Sequence, residues 1–181
     1  ECDALIIATG SSAKYLGLDS EKEFLGNGVS ACATCDGYFF KDLDVVVVGG
    51  GNTAVEEALY LANTSSKVTL IHRGSKLRAE AILQDKLFEK ENIEVIFNSE
   101  VEEFVGTTTG LSQVKLKDGK VIDTLGAFIA IGHTPNTAFL NGKIELSEDG
   151  HIVTYNGSQT SVEGVFACGD VVEGVYRQAI I

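Results

Sequence analysis

The sequence predicts a three-layer α/β domain, with a central parallel sheet, helices on one face and an antiparallel β-meander on the other. A strand–helix–strand unit between residues 45 and 71 indicates the parallel sheet, and short strands separated by turns between 100 and 125 indicate the meander. Apolar residues make up 44% of the chain and charged residues 22%, which is ordinary for a globular protein.

The strand–helix–strand unit carries the clearest pattern. Val45–Val48 is a β-branched run without alternation, which is typical of a parallel strand covered on both faces. Lys67–Ile71 predicts the second strand, reached by a right-handed crossover. Glu56 and Glu57 fall outside the apolar stripe of the intervening helix. That helix is predicted from Asn52 to about Asn63, with apolar positions at helical spacing at Val55, Ala58, Leu59 and Ala62.

Other segments complete the predicted fold on either side of this unit. An apolar run near the start and three later in the chain are short enough to be strands, and one segment has helical spacing. We therefore predict a buried strand at 4–8, a turn-rich connector at 11–28, a helix at 79–91, and strands at 93–97, 127–131 and 164–168.

Charge and hydropathy exclude some classes of partner. The net charge of −12 would repel phosphates and argues against nucleic acid. No apolar run approaches the ~20 residues of a membrane helix, so we expect no membrane partner and favour a cytoplasmic protein. The chain has no Met and opens almost at once on a predicted strand, so we expect it to be part of a longer protein.

A glycine motif lies between the first strand and the helix of the unit. In Gly49-x-Gly51-x-x-Ala54, the first glycine permits a tight turn, the second lets a pyrophosphate approach, and the alanine lets the helix pack closely. Free N–H groups at the helix start, including those of Asn52 and Thr53, would face the phosphates. The pattern predicts a Rossmann-like dinucleotide site, with a glycine-rich turn that binds nothing as the alternative.

Basic residues follow the second strand, which ends at Ile71. A site for NAD would usually place an acidic residue there for the ribose 2′-OH. This chain has His72 and Arg73, then Lys76 and Arg78, with no acid between them. Because arginine can bind a phosphate through two hydrogen bonds, we predict NADPH as the cofactor. A solvated basic loop is the alternative.

Cys32 and Cys35 form a C-x-x-C motif just before the dinucleotide unit. A zinc site would need two further ligands at paired spacing, and Cys2, Cys168 and the three histidines are scattered. Inert buried thiols are a second possibility. The position beside a reductant site favours a redox-active pair that exchanges by thiolate attack. Asp36 would then transfer a proton, or it is only a turn or helix-cap residue. We predict no metal site.

Taken together, the motifs resemble those of the low-molecular-weight thioredoxin reductases, in family order along nearly the whole chain. The resemblance implies a homodimeric flavoenzyme that carries electrons from NADPH through FAD and an enzyme disulfide to thioredoxin. The matching segments are Ala8-Thr9-Gly10, Cys32-Ala-Thr-Cys35-Asp36-Gly37, Gly49-Gly-Gly-Asn-Thr-Ala54, His72-Arg73, Gly132-His133-Thr-Pro135-Asn136 and Gly169-Asp170 through Arg177-Gln178-Ala179.

The resemblance also implies roles for individual residues. Cys35 would face the flavin, Cys32 would attack the thioredoxin disulfide, and Arg73 and Arg78 would hold the 2′-phosphate. Residues 14–132 would form the NADPH domain with the disulfide, and 1–13 with 133–181 part of the FAD domain. FAD-binding residues would be Thr9, Gly10, Gly169, Asp170, Arg177, Gln178 and Ala179.

Two departures from the family pattern stand out. Gly74 occupies a position where the family commonly has a second arginine, which weakens the preference for NADP. The glycine-rich βαβ unit for the ADP half of FAD is not found before Glu1, so we expect the isolated chain neither to hold FAD nor to turn over.

Two residues near the end of the chain have simpler interpretations. By itself, Gly169-Asp170 is typical of an ordinary strand-to-turn junction. Cys168 is expected to be buried rather than reactive.

Two other functions remain open at this stage. One is a related flavoprotein that reduces a peroxidase, although such proteins tend to use NADH and an acidic ribose contact. The other is a non-catalytic NADPH-binding module whose C-x-x-C only senses the redox state.

Overall fold

The computed structural model describes residues 2–172. The chain divides into two compact units, one of Lys14–Gly132 and one that combines the residues before 14 with those after 132. The α-helices are α1 (Asp19–Glu23), α2 (Ala33–Asp36), α3 (Asn52–Leu61) and α4 (Ala81–Phe88). The strands are β1 (Leu5–Ile7), β2 (Ser11–Ala13), β3 (Val29–Ser30), β4 (Asp44–Gly49), β5 (Lys67–Ile71), β6 (Ile93–Ile96), β7 (Val101–Thr107), β8 (Gly110–Leu116), β9 (Val121–Asp123), β10 (Gly126–Ala130), β11 (His133–Pro135) and β12 (Val165–Ala167).

A five-stranded parallel sheet forms the centre of the larger unit, in the order β3-β10-β4-β5-β6. Strand β4 is in the middle, and its Val47 pairs with Phe128 on one side and Leu70 on the other. The predicted central strand is therefore confirmed. Its β-branched run suits this position because neighbouring elements cover both faces.

Two hydrophobic cores lie on opposite faces of this sheet. Val45 and Val47 point into a core shared with α3 and α4, whereas Val46 and Val48 point into a core shared with β7 and β8. Strands β7, β8 and β9 form an antiparallel sheet in that order. Successive side chains of a strand face opposite sides, so one run of valines stabilises both layers. The predicted three-layer α/β fold is confirmed.

Several predicted elements differ in detail from the structure. The connector at 11–28 contains β2 and α1. It also contains Glu21, fully buried, whose carboxylate accepts hydrogen bonds from the N–H groups of Leu16 and Gly17, both at 2.8 Å. Local bonds of this kind leave no periodic pattern in the sequence. The helix predicted over 79–91 extends only from Ala81 to Phe88, and α3 ends at Leu61 rather than near Asn63.

The smaller unit contains two short strand pairs. Strand β1 pairs in parallel with β12, and β2 pairs antiparallel with β11. The first strand was predicted to be buried, but Leu5 and Ile6 are 48% and 68% exposed and only Ile7 reaches the core of this unit. Among the described helices of the chain, none is long and apolar enough to cross a membrane.

Candidate functional site

The turn between β4 and α3 requires glycine at its first position. A Cβ on Gly49 would overlap the carbonyl oxygen of Ala130 and lie 2.6 Å from the Cβ of Ala54, so helix and sheet approach closely here. Gly51 differs, since a Cβ there would have no heavy atom within 4 Å. The backbone of Gly51 therefore faces open space at the N-terminal end of α3, where a ligand can reach it.

A cavity of ≈ 650 Å³ lies in front of this turn. The N–H of Val55 donates to the Gly51 carbonyl at 3.2 Å, so the N–H groups before it remain available at the helix terminus. Such a terminus favours bound anions. Of the predicted NADPH-binding residues, the cavity is lined by Gly49, Gly51, Thr53, His72, Arg73 and Arg78.

His72 lies beneath the turn rather than at its surface. His72 is 6% exposed, and its Nδ1 and Nε2 lie 3.1 Å and 2.9 Å from the carbonyl oxygens of Gly49 and Lys76. A Cβ on Gly50 would overlap this ring, and one on Gly74 would lie 2.9 Å from its Nε2. His72 therefore links the glycine turn to the basic loop, and contact between its ring and a phosphate stays a prediction.

The charged side chains at the cavity come from several segments. Arg73 and Arg78 are exposed, and the backbone N–H of Arg78 donates to the Gly50 carbonyl at 2.7 Å. Glu100 forms an ion pair with Lys117 at 2.7 Å. The hydrogen bond from Lys117 chiefly, with a smaller electrostatic contribution from Arg73, lowers the pKa of the Glu100 carboxyl. The cavity therefore combines basic side chains with a single paired acid.

Asn52 and Ala54 do not line the cavity. The Asn52 amide donates to Glu80 Oε1 at 3.2 Å, and its oxygen accepts the Glu80 backbone N–H at 2.9 Å. Ala54 is fully buried against the sheet. These two residues therefore stabilise the walls of the cavity, and direct contact between Asn52 and a cofactor stays a prediction.

A disulfide joins Cys32 and Cys35 around helix α2. Cys32 is the N-cap residue, and its sulfur accepts the N–H of Cys35 at 3.2 Å. Cys32 is half-buried and Cys35 exposed. Within residues 2–172, no three His, Cys, Asp or Glu side chains come together in a group that could hold a metal ion.

Asp36 ends the disulfide helix and accepts a hydrogen bond from the Ser30 hydroxyl at 2.6 Å. The same hydroxyl accepts the backbone N–H of Cys32 at 3.1 Å, so Ser30 connects the acid to the cysteine. Both polar side chains line a second cavity of ≈ 360 Å³, together with Phe39 and Phe40. Asp36 therefore has space beside it where a proton could be exchanged.

Glu57 lies where α3 meets the disulfide helix. We placed it outside the apolar stripe, but it is half-buried, and its Oε1 accepts the N–H of Ala33 at 3.4 Å. Its other oxygen is buried and has no hydrogen-bond partner in the described part of the chain. Burial raises the pKa of this carboxyl to about 7, against the smaller opposing effect of the Ala33 N–H.

In the smaller unit, predicted FAD-binding residues follow the carboxyl ends of β1 and β12. Thr9 exchanges two hydrogen bonds with Asn136, at 2.8 and 2.9 Å, and the hydroxyl of Ser11 donates to Asp170 at 3.5 Å. A Cβ on Gly10 or Gly169 would meet nothing within 4 Å, so both backbones face open space. Cys168 is exposed, so our expectation that it is buried was wrong. Arg177, Gln178 and Ala179 lie outside the described residues.

Comparison with known proteins gives the family. The family model for pyridine nucleotide-disulphide oxidoreductases matches residues 1–181. The chain belongs to this family. It is 53% identical to the thioredoxin reductase of Rickettsia typhi, over 99% of this chain and 61% of that protein. It is also 56% identical to a glucosaminate ammonia-lyase of Pseudomonas fluorescens, over 99% of this chain and 59% of that protein.

Solved structures agree with this assignment. The structure of thioredoxin reductase from Streptococcus pyogenes superposes with a TM-score of 0.85 at 41% identity, covering 97% of this chain and 59% of that one. The chain therefore spans about 60% of the length of the relatives it matches.

Sequence reasoning missed several side chains of this pyridine nucleotide-disulphide oxidoreductase. Ser30 and Glu57 flank the disulfide, and Lys117 and Glu100 reach the first cavity from the meander side. For Glu57 no local signal was available, because nothing in the sequence distinguishes it from the exposed Glu56 beside it. Ser30 bonds to Cys32 and Asp36, two and six residues further along the chain, so a serine just before the C-x-x-C was a usable local signal. Glu100 and Lys117 come together through the pairing of β7 with β8, which no local pattern reports.

Proposed function

We propose that this chain is the NADPH-binding, disulfide-bearing part of a thioredoxin reductase. The proposal depends on the position of helix α3. Its N-terminal end faces the cavity of ≈ 650 Å³, named the nucleotide cavity from here on, and its following turns pack against α2, the helix of the Cys32–Cys35 disulfide. The thioredoxin reductases among its relatives support the same function. In the complete protein, NADPH would supply a hydride and FAD would pass the two electrons to the disulfide.

The residues at the first cavity fit a phosphorylated dinucleotide. Open space over Gly51 and free N–H groups at the start of α3 suit a pyrophosphate, and Arg73 and Arg78 supply exposed cations for a 2′-phosphate. The Glu100 carboxylate is already paired with Lys117, so its repulsion of a phosphate is reduced. We therefore assign residues 14–132 to the NADPH domain and prefer NADPH to NADH.

The flanking segments fit a flavin less completely. Open backbone at Gly10 and Gly169, with Asp170 beside them, is what an approaching ribityl or phosphate group would need. We assign residues 1–13 and 133–181 to part of an FAD domain, with the rest of that site outside this chain. Isolated chain should then lack turnover, and the complete enzyme is proposed to be a cytoplasmic homodimer.

Three residues act at the disulfide in this proposal. Cys32 attacks the thioredoxin disulfide as a thiolate, and Cys35 then attacks Cys32 to release reduced thioredoxin and restore the enzyme disulfide. Asp36, aligned by Ser30, donates the proton that the departing thiolate requires. Its hydrogen bond with Ser30 fixes the carboxyl at the end of the helix that carries Cys35.

The central test is NADPH-dependent reduction of thioredoxin by the full-length protein. Wild-type protein should turn over, and Cys32→Ser and Cys35→Ser should each abolish thioredoxin reduction while leaving NADPH binding within about twofold. Transfer to a peroxidase with none to thioredoxin would favour the peroxidase-serving flavoprotein. Ammonia release from glucosaminate, or NADPH binding without any electron transfer, would each overturn the proposal.

Cofactor preference has a separate test. Arg73→Ala in the full-length protein should weaken NADP⁺ binding about tenfold, because a charge-assisted bond to phosphate contributes ~1.5–3 kcal/mol, and should leave NAD⁺ binding nearly unchanged. Lys22→Ala, which removes an exposed positive charge away from the cavity, is the control. Equal losses for both cofactors by calorimetry would contradict the assignment.

A further inference from the structure

Helix α2, which carries the disulfide, packs tightly on α3. Ala33 is fully buried in the core that contains Ala58 and Leu61, and a Cβ on Gly37 would lie 2.9 Å from the Leu61 side chain. The carboxyl of Glu57 lies in this interface. It has one long hydrogen bond, from the N–H of Ala33, and one buried oxygen with no partner in residues 2–172.

An unpartnered buried oxygen makes ionisation of Glu57 costly. Ionising a carboxyl without compensating hydrogen bonds is penalised, and the pKa of Glu57 accordingly lies at about 7. The group is therefore poised to gain or lose a proton near neutral pH when a nearby charge changes.

Charged neighbours do not account for this behaviour. Within the described chain, none of the ionisable side chains near α3 forms a hydrogen bond or ion pair with Glu57. These side chains are Glu56 and Tyr60 on α3 itself, Asp36 on α2, Asp44 on β4, Lys67 on β5, and Asp85 and Lys86 on α4. The adjacent group whose charge changes during the proposed reaction is the disulfide, because Ala33 directly follows Cys32.

We propose that Glu57 is a redox-linked proton acceptor, taking up a proton when the Cys32–Cys35 disulfide is reduced and releasing it when the disulfide reforms. Glu57 acts through the electrostatics of the pair and is a positioning residue rather than a catalytic one. The inference rests on the proposed function in one respect only, that this disulfide is redox-active.

Reduction of the disulfide takes up two protons in this proposal. Two electrons from the reductant break the S–S bond, one sulfur takes a proton and becomes a thiol, and the other remains a thiolate. The new negative charge destabilises the Glu57 carboxylate, which takes a second proton. Disulfide, carboxylate, two electrons and two protons thus become thiol, thiolate and carboxylic acid. Oxidation releases both protons.

Proton uptake of this kind makes the redox equilibrium depend on pH. Above about pH 7, Glu57 is charged beside the intact disulfide and opposes thiolate formation. Well below that pH it is neutral in both redox states and has no effect. Replacing it with glutamine should therefore favour the dithiol at high pH only.

The experiment equilibrates full-length protein with reduced and oxidised dithiothreitol at pH 6 and pH 8, alkylates free thiols and measures the Cys32–Cys35 peptide by mass. At pH 8, Glu57→Gln should shift the equilibrium about tenfold toward the dithiol, equivalent to ~30 mV, and at pH 6 by less than about twofold. Glu56→Gln, which removes the same charge from the exposed neighbour on α3, should change neither value.

Each outcome decides between the two proposals. If the dithiol–disulfide equilibrium has the same pH dependence in the wild type and in Glu57→Gln, the proposed role of Glu57 is overturned. If the Cys32–Cys35 disulfide cannot be reduced at all, the proposed redox function is overturned. If the glutamine variant does not fold, carboxyl ¹³C NMR of the wild-type protein replaces it. Glu57 should titrate near pH 7 with the disulfide intact and at a higher pH after reduction, and an unchanged midpoint would overturn the inference.

Discussion

Two successive parts of α3 treat negative charge in opposite ways. At its first turn, free N–H groups, Arg73 and Arg78 surround an open cavity whose positive charge favours an anion. One turn later, the carboxyl of Glu57 lies in an interface where burial penalises its ionised form. The difference shows that solvent access and hydrogen-bond donors, rather than position along the helix, decide whether a charge is tolerated. A single helix can thereby connect the proposed phosphate site to the disulfide, whose charge is proposed to change on reduction.

The largest expected effect separates two adjacent glycines at the first turn. Gly50→Ala places a Cβ into the buried His72 ring and should lower the free energy of unfolding by ~3 kcal/mol. The added methyl group of Gly51→Ala meets no protein atom, and the backbone of residue 51 is extended. The free energy of unfolding should therefore be unchanged or raised by up to ~1 kcal/mol. Chemical denaturation of both variants provides the measurement.

The affinity for NADP⁺ tests whether the open space at Gly51 belongs to a ligand. Gly51→Ala should weaken NADP⁺ binding tenfold or more, since its methyl group occupies the space that a pyrophosphate needs, a loss of ~1.4 kcal/mol. A Gly51→Ala variant that is as unstable as Gly50→Ala, or that binds NADP⁺ normally, would contradict the assignment of open space to the ligand.

A smaller effect should appear at the second part of α3. The pKa of Glu57 is raised from 4.5 to about 7 on folding, so the folded protein binds more protons between these values. Its contribution to stability therefore falls as the pH rises from 4.5 to 7 and remains unfavourable above that. Glu57→Gln should raise the free energy of unfolding by ~1–2 kcal/mol at pH 8, discounted for partial exposure, and by progressively less toward pH 4.5.

Glu56, the exposed neighbour of Glu57 on α3, provides the control. Glu56→Gln is exposed on the same helix and should change the free energy of unfolding by less than ~0.5 kcal/mol at any pH. Denaturant titrations at pH 5 and pH 8 with the disulfide intact compare the two variants. A glutamine effect of equal size at both pH values would mean that the side chain matters through packing rather than through its charge.

The sequence was most informative where local pattern and tertiary position agree. The unbroken valines of β4 predicted a strand covered on both faces, and the structure has it at the centre of the parallel sheet. The turn-rich connector was less predictable. That segment has no hydrophobic periodicity. Part of its structure depends on the buried Glu21, which accepts two backbone hydrogen bonds that cannot be predicted from residue type alone.

The same contrast applies to the candidate site. The glycine fingerprint and the C-x-x-C were visible because each encodes its geometry within a few residues. Glu100 and Lys117 could not be predicted, since the pairing of β7 with β8 brings them together. Ser30 bonds to residues two and six positions along the chain, and its role was missed although those contacts are local. Glu57 looked like a solvent-facing residue because hydrophobic periodicity reports only apolar contacts. In the structure the short helix α2 covers it.

The smallest expected effect concerns the wall of the nucleotide cavity, at the residue that begins α3. Asn52 holds the segment after Arg78 through two hydrogen bonds to Glu80, at 3.2 and 2.9 Å. Asn52→Ala removes both bonds, whereas Glu80→Ala removes only the side-chain one, because the backbone N–H of residue 80 remains. Exposed hydrogen bonds contribute ~0.5–1 kcal/mol each, so Asn52→Ala should weaken NADP⁺ binding about threefold and Glu80→Ala less.

This graded pair tests how Asn52 acts. Arg78 is also held through its own backbone bond to Gly50 at 2.7 Å, so losing the Asn52 bonds should loosen the loop without releasing it. NAD⁺ lacks the 2′-phosphate that this loop is proposed to bind, and its affinity should therefore change less than that of NADP⁺ in calorimetry. If Asn52→Ala instead weakens both cofactors equally and Glu80→Ala weakens neither, Asn52 contacts the pyrophosphate directly. The first turn of α3 would then bind the cofactor through a side chain as well as through its N–H groups.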